Sequence, residues 1–350
     1  MKNNAGLCLA AAVVITASLA VASAWPAAAR SATPAGGLHF DPADGQVAHY
    51  VYGGRVTLNT QVARGEQRST QQLDIKTEWA CRVERLEADN SEEMLLRFTL
   101  LWLSRRVTGP GLHAAFDSRR EKTAEGPMGS ALASLLGKPV VLKLDAQGRV
   151  TQMPGADQIV RAAKTKAPEM WRDSIEGLLD PRSLEHKIGA YLVAGAPAEA
   201  APGAEWKAEY RDPLDARSSV RAELQCRFKQ TGREETARVA HIQATGELKS
   251  AEPLTSQPVS QDVRTEFLGG WLDGHLTWNL ERNRLSSAIW TESSKTEVTS
   301  GQGAAATRTL IMQDSTWTFV SYEPQRDQAM RGPSSRPEGS SAEPVTSTGD

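Results

Sequence analysis

The chain has 350 residues, with 40 Lys and Arg set against 42 Asp and Glu and a formal net charge of −2. Charges so evenly balanced create no long-range field that would gather nucleic acid or coat an anionic membrane. The length suffices for one large or two ordinary domains.

Met1-Lys2-Asn3-Asn4 carries one side-chain charge, and Ala5 to Trp25 carries none. Ala22-Ser23-Ala24 and Ala27-Ala28-Ala29 both fit a small-x-small cleavage pattern, and Pro26 breaks the run. This predicts a signal peptide over residues 1–29 and a mature chain outside the cytoplasm, secreted or periplasmic. A retained anchor is the alternative, because the apolar run approaches the ~20 residues that span a bilayer. Cys8 lies inside the leader, and Ala5-Gly6-Leu7 before it makes a poor lipid-attachment site. No later apolar stretch reaches spanning length.

Residues 30–45 are expected to be a flexible lead-in. From residue 46 to 155 the apolar period is mostly two. Val56, Leu58 and Val62 alternate with polar residues, as do Leu73, Ile75, Trp79, Cys81 and Val83. Strict alternation places one face of a strand on a core and the other in water, which predicts antiparallel sheet. Turn residues separate the runs, among them Asp145-Ala146-Gln147-Gly148. Residues 156–203 change period to three and four: Ile159, Val160, Ala163; Trp171, Ile175, Leu178; Leu184, Ile188, Tyr191, Leu192. They predict a helical connector, with Asp180-Pro181 as N-cap and first helical residue. Alternation returns over residues 204–322, in Val220, Ala222, Leu224, Cys226 and Phe228 and again in Leu272, Leu276, Trp278 and Leu280. Residues 323–350 are Pro, Gly, Ser and charge, too poor in apolar side chains to order themselves.

The fold class is therefore mainly β (α+β): two antiparallel β-sheet halves joined by a helical connector. Trp79-Ala80-Cys81-Arg82-Val83 and Leu224-Gln225-Cys226-Arg227-Phe228 are alike in pattern. A divergent tandem repeat and two sheets sharing only β grammar both account for that likeness.

Several short motifs stand in a fixed order: Phe116-Asp117-Ser118, Leu136-Gly137-Lys138, the Leu-Asp-x-x-Gly-x-Val of Leu144 to Val150, then Pro-Gly-x-x-Trp from Pro202 to Trp206. In this order the chain resembles an uncharacterised family of secreted bacterial proteins with a domain of unknown function, over most of residues 46–322. That resemblance implies no activity and no catalytic residues. Over residues 50–190 the hairpin-then-helix order is also similar to the β-barrel of vitellogenin-type lipid-transfer proteins, and convergent hairpin chemistry accounts for it as well.

Catalytic signatures are sparse. There is no G-x-S-x-G elbow, P-loop or G-x-G-x-x-G. His39, His49, His113, His186, His241 and His275 lack ligand spacing, so no metal is expected; Asp41 to Asp44 beside His39 lacks a calcium ligand ladder. His113, Asp117 and Ser118 supply the residue types of a triad but lie within one short stretch, where Asp117-Ser118 reads as a turn. Of nine tryptophans, Trp79, Trp102, Trp171 and Trp278 are candidates for an aromatic-lined groove holding an apolar or carbohydrate ligand; filling the core is the alternative.

Cys81 and Cys226 form an even pair in an oxidising compartment. A disulfide between them requires Cα atoms ~4.4–6.8 Å apart, which sheets packed at ~10 Å allow only near a corner or edge. Two buried free thiols are the alternative. The expected function is non-enzymatic and needs no cofactor: binding of an apolar small molecule or lipid between the sheets. A solid-core envelope module that binds a protein partner is the second expectation, and a secreted hydrolase the third. Nucleic acid is not an expected partner.

Overall fold

In a computed structural model the chain is described from residue 38 to 323, apart from 88–92, 121–125, 170–171, 173–174, 176, 214–218, 235–236, 251–262 and 302–305. The leader expected over 1–29 and the tail beyond 323 lie outside the described residues, as does Trp171.

The strands are β1 (Val47–Arg64), β2 (Gln67–Leu86), β3 (Met94–Gly109), β4 (Leu112–Asp117), β5 (Pro139–Leu144) and β6 (Val150–Gln152), then β7 (Glu205–Pro213), β8 (Ser219–Glu234), β9 (Ala237–Ser250), β10 (Val263–Asn279), β11 (Arg284–Ser300) and β12 (Thr307–Tyr322). The helices are α1 (Gly126–Ala133), α2 (Ala156–Lys164), α3 (Pro181–Ile188) and α4 (Ala190–Ala194), with a 3-10 turn over Gly177–Leu179.

The fold is mainly β and antiparallel as expected, and its two halves are continuous with each other. They are one antiparallel sheet in the order β6-β5-β3-β2-β1-β12-β11-β10-β9-β8-β7, with β4 paired to β3. The first and last strands join it, in register from His49 opposite Tyr322 to Arg64 opposite Thr307. With β1 and β12 paired, the two ends of this path are β6 and β7, and the connector that links them in sequence packs on both. The sheet therefore follows the order of a closed up-and-down barrel whose one break is the β6–β7 seam.

Alternation sets which face turns inward. Tyr50, Trp79, Leu96, Leu142, Leu224, Leu272 and Trp278 are buried in one hydrophobic cluster, together with Leu184, Ile188 and Leu192 from α3 and α4. The connector thus fills the inward side at one end of the long strands. Leu38 is buried and Phe40 meets Trp278 edge-on at 6.1 Å, so residues 38–45 of the expected lead-in lie against the core. α1 had no periodic signal in the sequence, since Gly126, Pro127 and Gly129 interrupt it.

Candidate functional site

The seam is built from a short stretch of hairpin and one helix. Asp145 Oδ1 accepts from the main chains of Gln147 and Arg149, both at 2.9 Å, which makes an Asx turn. Gly148 completes it at φ 70°, and a Cβ there would stand 2.5 Å from the Cβ of Ala190. α3 begins at Asp180, whose Oδ1 accepts from Arg182 N at 2.9 Å and Ser183 N at 3.2 Å, and it ends at Gly189. One turn in, Glu185 reaches Val150 N at 2.8 Å and Arg149 Nη1 at 3.3 Å. Arg149 Nη2 donates in turn to the Glu209 carbonyl on β7. His186 Nε2 meets the Arg211 carbonyl at 3.2 Å, Nδ1 meets Tyr191 Oη at 3.2 Å, and the ring stacks on Tyr210 at 4.4 Å. Trp206 Nε1 donates to the Leu192 carbonyl at 2.7 Å. The edges β6 and β7 are thus held through side chains instead of a strand ladder. Burial raises the Glu185 carboxyl above its ordinary range, against the pull of Arg182 and Arg149. Burial, with Arg149 and Lys187 nearby, lowers the His186 pKa to about 3.

Next to the seam, the inward face is aromatic. Tyr52 stacks on Trp79 at 4.9 Å, and Phe98 and Phe319 meet Trp79 edge-on at 6.0 and 6.5 Å. Lys187 Nζ from α3 lies 5.3 Å from the Trp79 ring and 5.6 Å from that of Tyr52. Arg105 shares the inward phase of β3 with Leu103 and Val107, both fully buried. Its Nε is shielded from water without a hydrogen-bond partner, and among the described residues no carboxylate pairs with the guanidinium. Burial lowers the Arg105 pKa to about 10, well below ordinary arginine, with Tyr52 acting in the opposite sense. The inward-phase acid on β11, Glu292, accepts from Gln313 Nε2, and β2, β1 and β12 stand between it and β3.

Past Arg105 the strands run on beyond the main cluster. Leu58, Val107 and Val298 are buried there outside it, while Val56, Ile75 and Ile311 on the same inward phase stay half-exposed. The outward phase carries charged pairs such as Lys76–Glu78, Lys207–Glu223 and Lys249–Glu247, and among them stand exposed apolar residues, Val51, Leu101, Trp271, Ile289 and Val320.

The three described tryptophans of the four do not converge on one groove. Trp79 and Trp278 are buried core residues, and the Nε1 of Trp278 has no partner. Trp102 opposes Ala80 on the outward phase beneath Arg119, whose guanidinium lies 4.1 Å from its ring. Cys81 and Cys226 are free and buried. They sit on β2 and β8, with five strands between them in the sheet and the helical fill inside, so the candidate bridge is not formed. Burial pushes the Cys226 thiol up to about 12 and that of Cys81 higher still.

An open polar cleft of about 320 Å³ is lined by Lys76, Glu78, Arg105, Arg106, Asp117, Arg119 and Arg120 among others. Its charges are largely mutual: Asp117 takes both arms of Arg119 at 2.9 Å, and Ser118 Oγ accepts from Leu103 N at 3.0 Å. Asp117 and Ser118 thus build the turn that the sequence placed there. On the inward side, the gap beside Phe40, Tyr50, Leu96 and Ile188 measures about 20 Å³. Sequence reasoning missed Arg105 and Glu185. A charge in the apolar phase Leu103-Arg105-Val107 was a legible signal for the first.

The sequence pattern of the Family of unknown function (DUF6263) matches residues 92–280. No curated protein sequence is significantly similar. Similar crystal structures include the outer membrane protein OprG from Pseudomonas aeruginosa, at 7% identity and TM-score 0.23, covering 80% of this chain and 97% of that one. An outer membrane channel from Pseudomonas putida F1 follows at 9% identity and TM-score 0.24, covering 81% and 98%. A DUF1329 family protein from Desulfovibrio piger stands at 9% identity and TM-score 0.14, covering 81% and 90%. Scores this low carry no argument about role.

Proposed function

Since the chain belongs to DUF6263, a family of unknown function, we propose a role from geometry: a non-enzymatic, extracytoplasmic protein that holds an apolar or amphiphilic small molecule against the inward face of its sheet, beyond the helical fill. The carrying observation is that apolar residues recur on the inward phase past the packed core, where Val56, Ile75 and Ile311 remain part-exposed among polar Thr60, Gln313 and Glu292. Water-facing strands would carry polar residues on both faces there, whereas a binding face keeps one of them apolar.

The outward charge supports a water-soluble barrel. A strand barrel in lipid turns its apolar phase outward, and charges such as Lys76, Arg227 and Lys249 facing hydrocarbon would each cost ~2–4 kcal/mol at mid-bilayer. No described helix is long and apolar enough to cross a membrane. The turn roles of Asp117 and Ser118 favour binding over hydrolysis, so Ser118→Ala and His113→Ala are expected to leave function intact. Extracytoplasmic placement rests on the leader expected over residues 1–29, and an intact Met1 on protein from the native envelope would overturn it.

Solvent extraction of the purified chain, followed by mass spectrometry, tests the binding role. A near-stoichiometric apolar molecule is expected. A clean extract would leave the solid-core, partner-binding module, which the 20 Å³ inner gap favours.

A further inference from the structure

Arg105 is the feature of the inward face that packing alone does not account for. A guanidinium taken out of water costs free energy unless an acceptor replaces the lost hydration. Among the described residues its Nε has no acceptor, and no carboxylate forms an ion pair with it. Arg105 is part-exposed and also lines the open polar cleft, and on the inward side it stands between two unlike regions. On one side are Leu103, Tyr52 and Trp79, with the Lys187 ammonium 5.6 Å from the Tyr52 ring. On the other are Ile75 and Val56, both part-exposed, with Val107 and Leu58 buried beside them. Positive charge at the closed end of an apolar strip complements one kind of molecule: a single chain with an anionic head.

Resting on the binding role above, we propose that Arg105 receives the carboxylate or phosphate head of a single-chain anionic amphiphile, whose tail lies along the part-exposed Val56 and Ile75. The planar fork of arginine suits both heads, because each offers two coplanar oxygens. Lys187 adds to the field without direct contact, held as it is by Ser183 and the two rings.

The test uses the full chain loaded with an uncharged fluorescent probe, N-phenylnaphthylamine, displaced in turn by palmitate, hexadecyl phosphate and hexadecanol. The two anions are expected to displace it at concentrations at least tenfold below the alcohol, the scale of one charge-assisted hydrogen-bond pair. Arg105→Gln should abolish that preference and keep hexadecanol binding, while Arg105→Lys retains part of it. Arg106→Gln, on the outward phase of the same strand, should change nothing. Equal displacement by anions and alcohol, or a preference untouched in Arg105→Gln of unchanged melting temperature, overturns the head-group role and leaves the apolar site standing. A chain that binds neither probe nor any of the three overturns both. A preference for one anion over the other identifies the head.

Discussion

The carboxylate of Glu185 on α3 accepts a hydrogen bond from the main chain of Val150 at 2.8 Å, across a sequence gap of 35 residues. That contact, with Arg149 as its partner, stands where a β6–β7 ladder would otherwise close the sheet. The side chain of Glu185 is fully buried, so its removal strands a main-chain donor and a guanidinium together. Glu185→Ala is expected to cost ~3 kcal/mol or more, as loss of one member of a buried pair does. Glu185→Gln, which keeps an acceptor, should cost less. Urea denaturation of both variants measures the difference, and equal stability to the native chain would show that the seam does not depend on this residue.

Acid should open the same seam through His186. Its folded pKa of about 3 lies below the ordinary 6.5. The unfolded chain therefore binds the proton first, and stability falls as pH drops through the window from 6.5 to about 3. The groups facing the ring are Arg149, Lys187, Arg182, Tyr191 and Tyr210. Glu185 and Asp180 act in the opposite sense, since burial raises both, so they favour the folded state as they take up protons. Denaturation at about pH 7 and pH 5 should show a loss in the native chain that shrinks in His186→Gln, and an undiminished loss would place the acid response elsewhere.

At the turn before it, Gly148→Ala is expected to lower stability by ~1–3 kcal/mol. The residue sits at φ 70°, and the added Cβ would meet Ala190 at 2.5 Å. The readout is the thermal midpoint, with Gly45→Ala as a control. Gly45 has a similar φ of 71° and nothing within 4 Å of its Cβ position, so the gap between the two variants isolates the clash.

Two tryptophans should respond differently to the same change. Trp206→Phe removes a hydrogen bond to the Leu192 carbonyl, whereas Trp278 Nε1 has no partner to lose. Trp278→Phe should therefore be the milder by ~1 kcal/mol, provided the cavities left behind are alike. A reversed order in paired denaturation curves would mean that packing around Trp278 outweighs the orphaned donor.

The thiols make a simple counting experiment. Neither Cys81 nor Cys226 should react with a thiol reagent in the folded chain, because both are buried and shifted toward the neutral form. After denaturation without reductant both should react, and their absence would reveal a bridge.

The strands were legible because each carries one dry face and one wet one, as in the phases of Trp79-Cys81-Val83 and Leu224-Cys226-Phe228. The Leu-Asp-x-x-Gly-x-Val motif was visible too, and the structure gives its parts separate tasks: Asp145 shapes the turn, Gly148 admits α4, and Arg149 and Val150 meet Glu185. Its partner stayed hidden. Glu185 beside Leu184 on a short amphipathic helix looks like an ordinary solvated acid, and only Arg149, 36 residues earlier, makes it a buried one. The β1–β12 pairing was equally out of reach, because alternation states which face a strand buries and not which neighbour it takes.

That pairing has a consequence for assembly. β1 is the first strand made and β12 the last, so one edge of β1 stays open until Thr307–Tyr322 has arrived. A chain cut short of residue 307 would present two long unpaired edges, on β1 and β11, each a template for a neighbouring copy. The final 16-residue strand acts as the molecule's protection against its own kind.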